Sequence, residues 1–192
     1  MDSNPLSWLL LIFGFGCFIL FMWATRQHFL ISGPLPPGMR MVILLSVVGA
    51  IWFAVRVVVS GAGPGAPYGV ALMGVSLGLF CWTVATTRER RLPIAFADDM
   101  PEFIYRTGPY RYLRHPFYMS YILCWIGTSA ATRGVWSWVV PLVMGTVYVA
   151  VARREEQKFR ASRLSEAYDA YRKRTAMFIP TYHVRGADED NG

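Results

Sequence analysis

A dense group of polar side chains lies directly before an apolar run of the sequence. Residues 107–118 read TGPYRYLRHPFY and contain two arginines, one histidine and three tyrosines. A second group, residues 153–156 with the sequence RREE, directly follows a later apolar run. Polar side chains within or beside membrane helices are costly to desolvate and generally mark functional sites. Two such groups on one membrane face predict a polar ligand at the interface, next to an apolar substrate from the lipid.

Apolar runs of membrane-spanning length position these two groups. A membrane helix needs about 20 apolar residues, and we expect five such helices. They are Leu6–Thr25, Met41–Val59, Tyr68–Thr87, Phe117–Thr132 and Val135–Ala152. Only Arg133 and Gly134 separate the last two runs, which predicts an antiparallel helical hairpin. Because these two runs are also the shortest, we expect them to pack partly against protein. The expected fold class is an all-α polytopic membrane protein, because helices satisfy their own backbone hydrogen bonds in lipid.

The C-terminal part of the chain has a different pattern. From Arg153 to about Lys173, apolar and aromatic residues recur every three or four positions, which predicts a C-terminal cytosolic amphipathic helix under the bundle. We expect residues 1–182 to form a single membrane-embedded domain. We expect residues 183–192 to be a disordered tail, because this segment is polar and contains Gly and Asp.

The basic residues indicate how the chain is oriented in the membrane. Of 19 Lys and Arg residues, 17 fall in the segments 26–40, 88–116 and 153–192. Because cytoplasmic loops are rich in Lys and Arg, we expect the N-terminus outside and the C-terminus in the cytosol. A bacterial inner membrane is expected because the sequence shows no eukaryotic targeting signal. Both polar groups then face the cytosol. A net charge of +7 could indicate binding to nucleic acid or to an anionic membrane surface. Because the chain contains long apolar runs, we expect the basic residues to face the membrane surface.

The two polar groups suggest a site for a charged ligand. Pro116 fits the first turn of a helix, where its missing N–H is not needed. His115 then lies at the helix entry, where free backbone N–H groups attract anions. Glu155 and Glu156 follow a membrane helix directly, and one of them could accept hydrogen bonds from an ammonium group or ribose hydroxyls. A structural interpretation is open for each group. The carboxylates could form ion pairs that only stabilise the fold, and in residues 107–118 the arginines could snorkel to lipid phosphates while the tyrosines form an aromatic belt.

Other chemistries lack the residues that they require. The three cysteines each fall inside an apolar run and are expected to be packing residues without a disulfide. No metal site is expected, because Asp98 and Asp99 have no histidine beside them and fit a helix cap or solvated turn. Arg56, inside the second run, is expected to snorkel outward, and the alternative is that it pairs with a polar cofactor or a buried acid. The chain contains no H-E-x-x-H, and its G-x-S-x-G match, residues 74–78, lies inside the third apolar run and not at a turn between a strand and a helix.

The ordered motifs resemble the isoprenylcysteine carboxyl methyltransferase and phospholipid methyltransferase superfamily. The match consists of Gly-x-Tyr-x4-His-Pro-x-Tyr, a helical hairpin, a Glu-Glu pair, and Tyr-x-x-Tyr followed by basic residues and a proline. These residues are Gly108, Tyr110, His115, Pro116, Tyr118, Glu155, Glu156, Tyr168, Tyr171, residues 172–174 and Pro180. The resemblance covers roughly residues 70–182.

The resemblance implies a membrane-embedded enzyme that uses S-adenosylmethionine near the cytosolic face. The cofactor-binding residues that it implies are Glu102, Ile104, Tyr105, Tyr110, His115, Pro116, Phe117, Tyr118, Glu155 and Glu156. It assigns no catalytic residue, and Arg114 and Arg153 are candidates for orienting the acceptor. The carboxyl methyltransferases of the family carry an arginine four residues before the glutamate, where this chain has Ala152. That departure disfavours a prenylcysteine carboxylate as the acceptor.

The expected acceptor is hydrophobic or lipid-like and enters from the bilayer, and both carboxylate O-methylation and amine N-methylation are open. Methyl transfer needs alignment in a dry site more than a strong base, so the lack of a catalytic triad agrees with it. The alternative enzyme is an NADPH-dependent membrane reductase related to sterol reductases, which share an Arg-His-Pro-x-Tyr segment. The alternative without catalysis is a membrane scaffold.

Overall fold

A computed structural model of the protein describes residues 5–30, 34–89, 92–93 and 100–180. Within these residues the chain forms six α-helices, two short 3-10 helices and one pair of two-residue parallel strands, Phe29–Leu30 with Leu92–Pro93. The 3-10 helices are Gly108–Arg111 and Val135–Trp138. The α-helices are α1 Pro5–His28, α2 Pro37–Ser60, α3 Ala66–Thr87, α4 Pro116–Ala131, α5 Val139–Ala161 and α6 Ser165–Arg174.

The helices confirm the expected all-α polytopic membrane architecture. In the described part of the chain, four helical segments are long and apolar enough to cross a membrane. They are Pro5–Ala24, Pro37–Ser60, Ala66–Thr87 and Val135–Ala161. The remaining predicted span corresponds to α4, which has 16 residues and is therefore about 24 Å long. This is shorter than the roughly 30 Å hydrocarbon core of a bilayer, and most of α4 is buried against its neighbours.

Small residues let α3 and α4 pack closely. A methyl group added to Gly69 of α3 would lie 2.5 Å from the carbonyl oxygen of Gly127 in α4. A methyl group added to Gly127 would lie 2.8 Å from the carbonyl oxygen of Gly69. Nearer the start of α4, the buried Ser76 hydroxyl donates a hydrogen bond of 2.6 Å to the Ser120 carbonyl. These contacts fix the position of α4 along α3. They therefore also fix the position of the residues at the N-terminus of α4.

We expect a Gly127→Leu variant to be destabilised by about 1–3 kcal/mol, the usual cost of inserting extra atoms into a packed core. Thermal unfolding in detergent would measure the change. Gly74→Leu is the matched control, because a Cβ atom on Gly74 of α3 meets nothing within 4 Å. Equal melting temperatures for the two variants would show that the close approach of α3 and α4 does not limit stability.

The predicted hairpin between α4 and α5 turns at Gly134, whose φ of +90° suits glycine. A Cβ atom there would also lie 2.7 Å from a guanidinium nitrogen of Arg56 in α2. The half-buried Arg56 donates a hydrogen bond to the carbonyl oxygen of Arg133. The prediction that Arg56 snorkels outward was therefore incomplete, since Arg56 also satisfies a carbonyl group after the C-terminus of α4.

The predicted amphipathic helix from Arg153 to Lys173 was wrong in its extent. Its first half continues α5 to Ala161, and its second half is the separate helix α6. The break lies at Ser162, whose hydroxyl donates to the Phe159 carbonyl and accepts from the Leu164 N–H. A serine hydroxyl that bonds to nearby backbone competes with helix continuation. The predicted tail at residues 183–192 lies outside the described residues.

Candidate ligand-binding site

The start of α4 and the C-terminal part of α5 meet at His115. This residue precedes Pro116 at the N-terminus of α4 and is buried. Its Nε2 atom lies 3.3 Å from Oε1 of Glu156, and its Nδ1 atom lies 3.5 Å from Oε2 of Glu155. The structure therefore joins the two polar groups that are separated in sequence by a helical hairpin. We call Arg114, His115, Tyr118, Glu155 and Glu156 the polar cluster.

Cationic groups surround the carboxylate of Glu156, which is buried. Arg114 Nε donates a hydrogen bond of 2.8 Å to Oε1 of Glu156, and Arg172 Nε lies 3.6 Å from Oε2. The Arg114 guanidinium also donates to the carbonyl oxygens of Thr175 and Arg172. Because an unpaired buried carboxylate is strongly destabilising, these partners explain how Glu156 is tolerated at this position.

Tyr118 connects the other carboxylate to a stack of aromatic rings. Its hydroxyl donates a hydrogen bond of 2.5 Å to Oε1 of Glu155, whose side chain is 32% exposed. The Tyr118 ring stacks on His115 at a centroid distance of 5.7 Å and on Tyr148 of α5 at 5.7 Å. Aromatic faces attract cations. A partly exposed carboxylate beside such faces is therefore suited to bind a cationic group.

The two carboxylates favour the protonated form of His115. Burial lowers the pKa of the imidazole, but the contacts with Glu155 and Glu156 outweigh this effect and raise the pKa above its ordinary value. Each ring nitrogen faces a different carboxylate, which is the arrangement that an imidazolium with two N–H donors can satisfy. The polar cluster therefore holds a buried imidazole between two carboxylates, which stabilise its protonated form.

The last turn of α6 and the residues after it cover the polar cluster, and sequence reasoning missed their contacts with it. We call residues 171–178 the C-terminal strap. The N–H groups of Arg114 and His115 donate to the carbonyls of Ala176 and Met177 over 2.8 and 3.3 Å. The ring of Phe178 lies 6.0 Å from that of His115. The Tyr-x-x-Tyr motif and the basic residues after it pointed to the start of this region, and Tyr171 of that motif donates a 2.6 Å hydrogen bond to the Tyr110 carbonyl.

The aromatic residues before α4 form a neighbouring layer. Tyr110 is buried and its ring stacks on Tyr105 at 5.3 Å. Tyr105 packs in turn edge-on against Phe103 at 5.0 Å. In the same loop, Glu102 is exposed and Ile104 is half-buried. Burial, followed by the negative charge of Glu155, raises the pKa of Tyr110 well above its ordinary value, so its hydroxyl stays protonated.

Three predicted residues lie apart from the charged groups. Pro116 is fully buried in the first turn of α4. Phe117 packs in the apolar core, 5.5 Å from the ring of Phe80 in α3. Arg153 is exposed on α5, one turn before Glu156. Of the two candidates for orienting an acceptor, the structure places Arg114 in the polar cluster and Arg153 on the surface.

The fold and the polar cluster define a helical integral membrane protein with a charged site at one end of its bundle. A family model described as phospholipid methyltransferase matches residues 66–167, a little over half of the chain. The protein belongs to this family of membrane methyltransferases. The matched segment contains the whole polar cluster and ends before the C-terminal strap.

One curated relative is the nickel-cobalt-cadmium resistance protein NccN of Alcaligenes xylosoxydans xylosoxydans. It is 27% identical to this chain over 107 residues, which cover 55% of this chain and 49% of the relative. The match thus spans about half the length of that relative. No solved structure matches the chain. Among the described residues, no group of three or more His, Cys, Asp and Glu side chains could hold a metal ion.

Proposed function

We propose that this membrane methyltransferase uses S-adenosylmethionine as its methyl donor and holds it at the polar cluster. The observation that carries the proposal is the contact of His115 with both Glu155 and Glu156, 3.5 and 3.3 Å away. S-adenosylmethionine supplies an electrophilic methyl group on a sulfonium ion. The cluster offers groups that match the positive charges of the donor: carboxylates for its ammonium and tyrosine faces for its sulfonium.

Two carboxylates of the polar cluster keep hydrogen-bonding capacity that supports ligand binding. Oε2 of Glu156 has Arg172 at 3.6 Å, beyond hydrogen-bond distance, so an N–H or O–H donor can take this oxygen. The side chain of Glu155 is 32% exposed and keeps lone pairs besides the one that Tyr118 uses. The half-buried Tyr105 stacks on the buried Tyr110 beside the cluster, and such an aromatic pair suits a planar base such as adenine.

We propose that the acceptor is an amine carried by a lipid-like molecule. A carboxylate acceptor would need a cation to orient it, but Arg114 is committed to Glu156 and to two carbonyls, and Arg153 lies on the surface. An amine must lose a proton before it can attack the methyl group. The partly exposed Glu155, hydrogen-bonded to Tyr118 at 2.5 Å, is placed to hold that proton.

We also propose that the polar cluster faces the cytosol of a bacterial inner membrane, and that residues 1–182 act as one domain. Most Lys and Arg residues fall in the segments on the side of the cluster, which supports this orientation. The membrane-spanning length of the apolar helices α1, α2, α3 and α5 supports a site beside the bilayer. A lipid-like acceptor therefore reaches it without leaving the membrane.

A labelling experiment tests the donor and the acceptor together. Membranes containing the protein would be incubated with methyl-labelled S-adenosylmethionine and either a lipid with a primary amine headgroup or a lipid-tailed carboxylate. We expect alkali-stable label in the amine lipid, and at least tenfold less label with Glu155→Gln. Label released by alkali as a methyl ester would contradict the amine acceptor. Oxidation of NADPH without methyl transfer would support the reductase alternative.

A further inference from the structure

Arg172 is held more loosely than the other cations around Glu156. Its Nε atom lies 3.6 Å from Oε2 of Glu156, and its Nη1 atom lies 3.5 Å from Oδ1 of Asp169. Among the described residues, the buried Nε of Arg172 has no hydrogen-bond partner. Arg114, by contrast, donates hydrogen bonds both to Glu156 and to backbone carbonyls. Arg172 therefore contacts the Glu156 carboxylate less closely than Arg114 does, and it is the arginine that a ligand would displace more easily.

We infer that Arg172 is a displaceable counter-ion, which occupies Oε2 of Glu156 while the site is empty and gives way to the donor's cationic or hydroxyl group. This inference rests on the proposed function. An empty site needs such a counter-ion, because a buried carboxylate with too few partners is unstable. A bound ligand that brings its own N–H or O–H donor to Oε2 makes Arg172 redundant there.

Asp169 provides the position to which Arg172 moves. It lies three residues earlier on α6, its side chain is 55% exposed, and it already contacts Arg172. A guanidinium that leaves Glu156 for Asp169 keeps an ionic partner and gains contact with water. Displacement of Arg172 from Oε2 of Glu156 favours ligands that place a hydrogen-bond donor or a positive charge at this oxygen. It disfavours ligands that place an anion there. Arg172 thus lowers affinity in general and selects the kind of ligand that enters.

Titration with S-adenosylhomocysteine tests the inference on the full-length protein in detergent. We expect Arg172→Gln to bind about two- to fivefold more tightly than the wild type, which is the range that a partly exposed ion pair contributes. Lys173→Gln is the matched control, because Lys173 is the exposed neighbour on α6 and its loss changes the net charge equally. The control should bind within about 1.5-fold of the wild type on the same reasoning.

A second variant keeps the test decisive if Arg172→Gln does not fold. Asp169→Asn removes the alternative partner, so Arg172 should stay on Glu156 and S-adenosylhomocysteine should bind more weakly. Equal or weaker binding by Arg172→Gln, or unchanged binding by Asp169→Asn, would overturn the inference while the wild type still binds. Failure of the wild type to bind S-adenosylhomocysteine would overturn the proposed function itself.

Discussion

Replacing Glu156 by alanine is expected to abolish measurable binding of S-adenosylhomocysteine and to destabilise the protein by about 3–5 kcal/mol, the cost of breaking a buried ion pair. Glu156 is expected both to bind the ligand and to stabilise the fold. One oxygen of its buried carboxylate accepts a hydrogen bond from Arg114 and contacts His115. Alanine would leave the Arg114 guanidinium, of which only 11% is exposed, without this anionic partner.

Calorimetry and thermal unfolding in the same detergent would separate the two effects of Glu156→Ala. Glu166→Ala is the control, since Glu166 is an exposed carboxylate on α6 whose loss changes the net charge by the same amount. Glu156→Gln keeps the shape and one acceptor oxygen, so we expect it to fold better than the alanine variant and still to bind poorly. Affinity like that of the wild type in a folded Glu156→Gln protein would contradict the role of the carboxylate.

Replacing His115 by glutamine is expected to remove a pH-dependent part of the stability as well as most ligand binding. The pKa of His115 is raised in the folded protein, because Glu155 and Glu156 outweigh the effect of burial. The stabilisation is therefore complete below the unfolded pKa of about 6.5. It is lost as the pH rises through the higher folded pKa.

Unfolding measured from about pH 5.5 to pH 9 would reveal this contribution, since the range brackets the ordinary pKa of histidine. We expect the wild type to lose stability relative to His115→Gln as the pH rises. Parallel pH profiles for the two proteins would contradict a protonated His115 between the carboxylates.

The sequence predicted the four long apolar helices, because the apolar runs themselves mark them, but it also predicted a fifth span at α4, which has only 16 residues. Pro116 also marked the start of α4, since proline fits the first turn of a helix. The break at Ser162 could not be predicted in this way. There a single hydroxyl bonds to the Phe159 carbonyl, and this local contact ends a helix that the periodicity of the surrounding residues would continue.

The convergence of His115 with Glu155 and Glu156 followed from the hairpin between the two polar groups. The hairpin did not predict the direction of each neighbouring side chain, because successive residues on a helix point about 100° apart. Phe117 consequently packs against α3 in the apolar core, while Tyr118 reaches Glu155 on α5. The C-terminal strap was missed because its contacts with Arg114 and His115 are largely backbone hydrogen bonds, which leave no pattern of residue types.

A structure of the protein with S-adenosylhomocysteine bound would test the central claim most directly. The account predicts that the ligand contacts His115, Tyr118 and Oε2 of Glu156, with the Arg172 guanidinium moved toward Asp169. A ligand bound elsewhere in the bundle, with the contacts among His115, Glu155 and Glu156 unchanged, would show that these residues are only a structural ion-pair network.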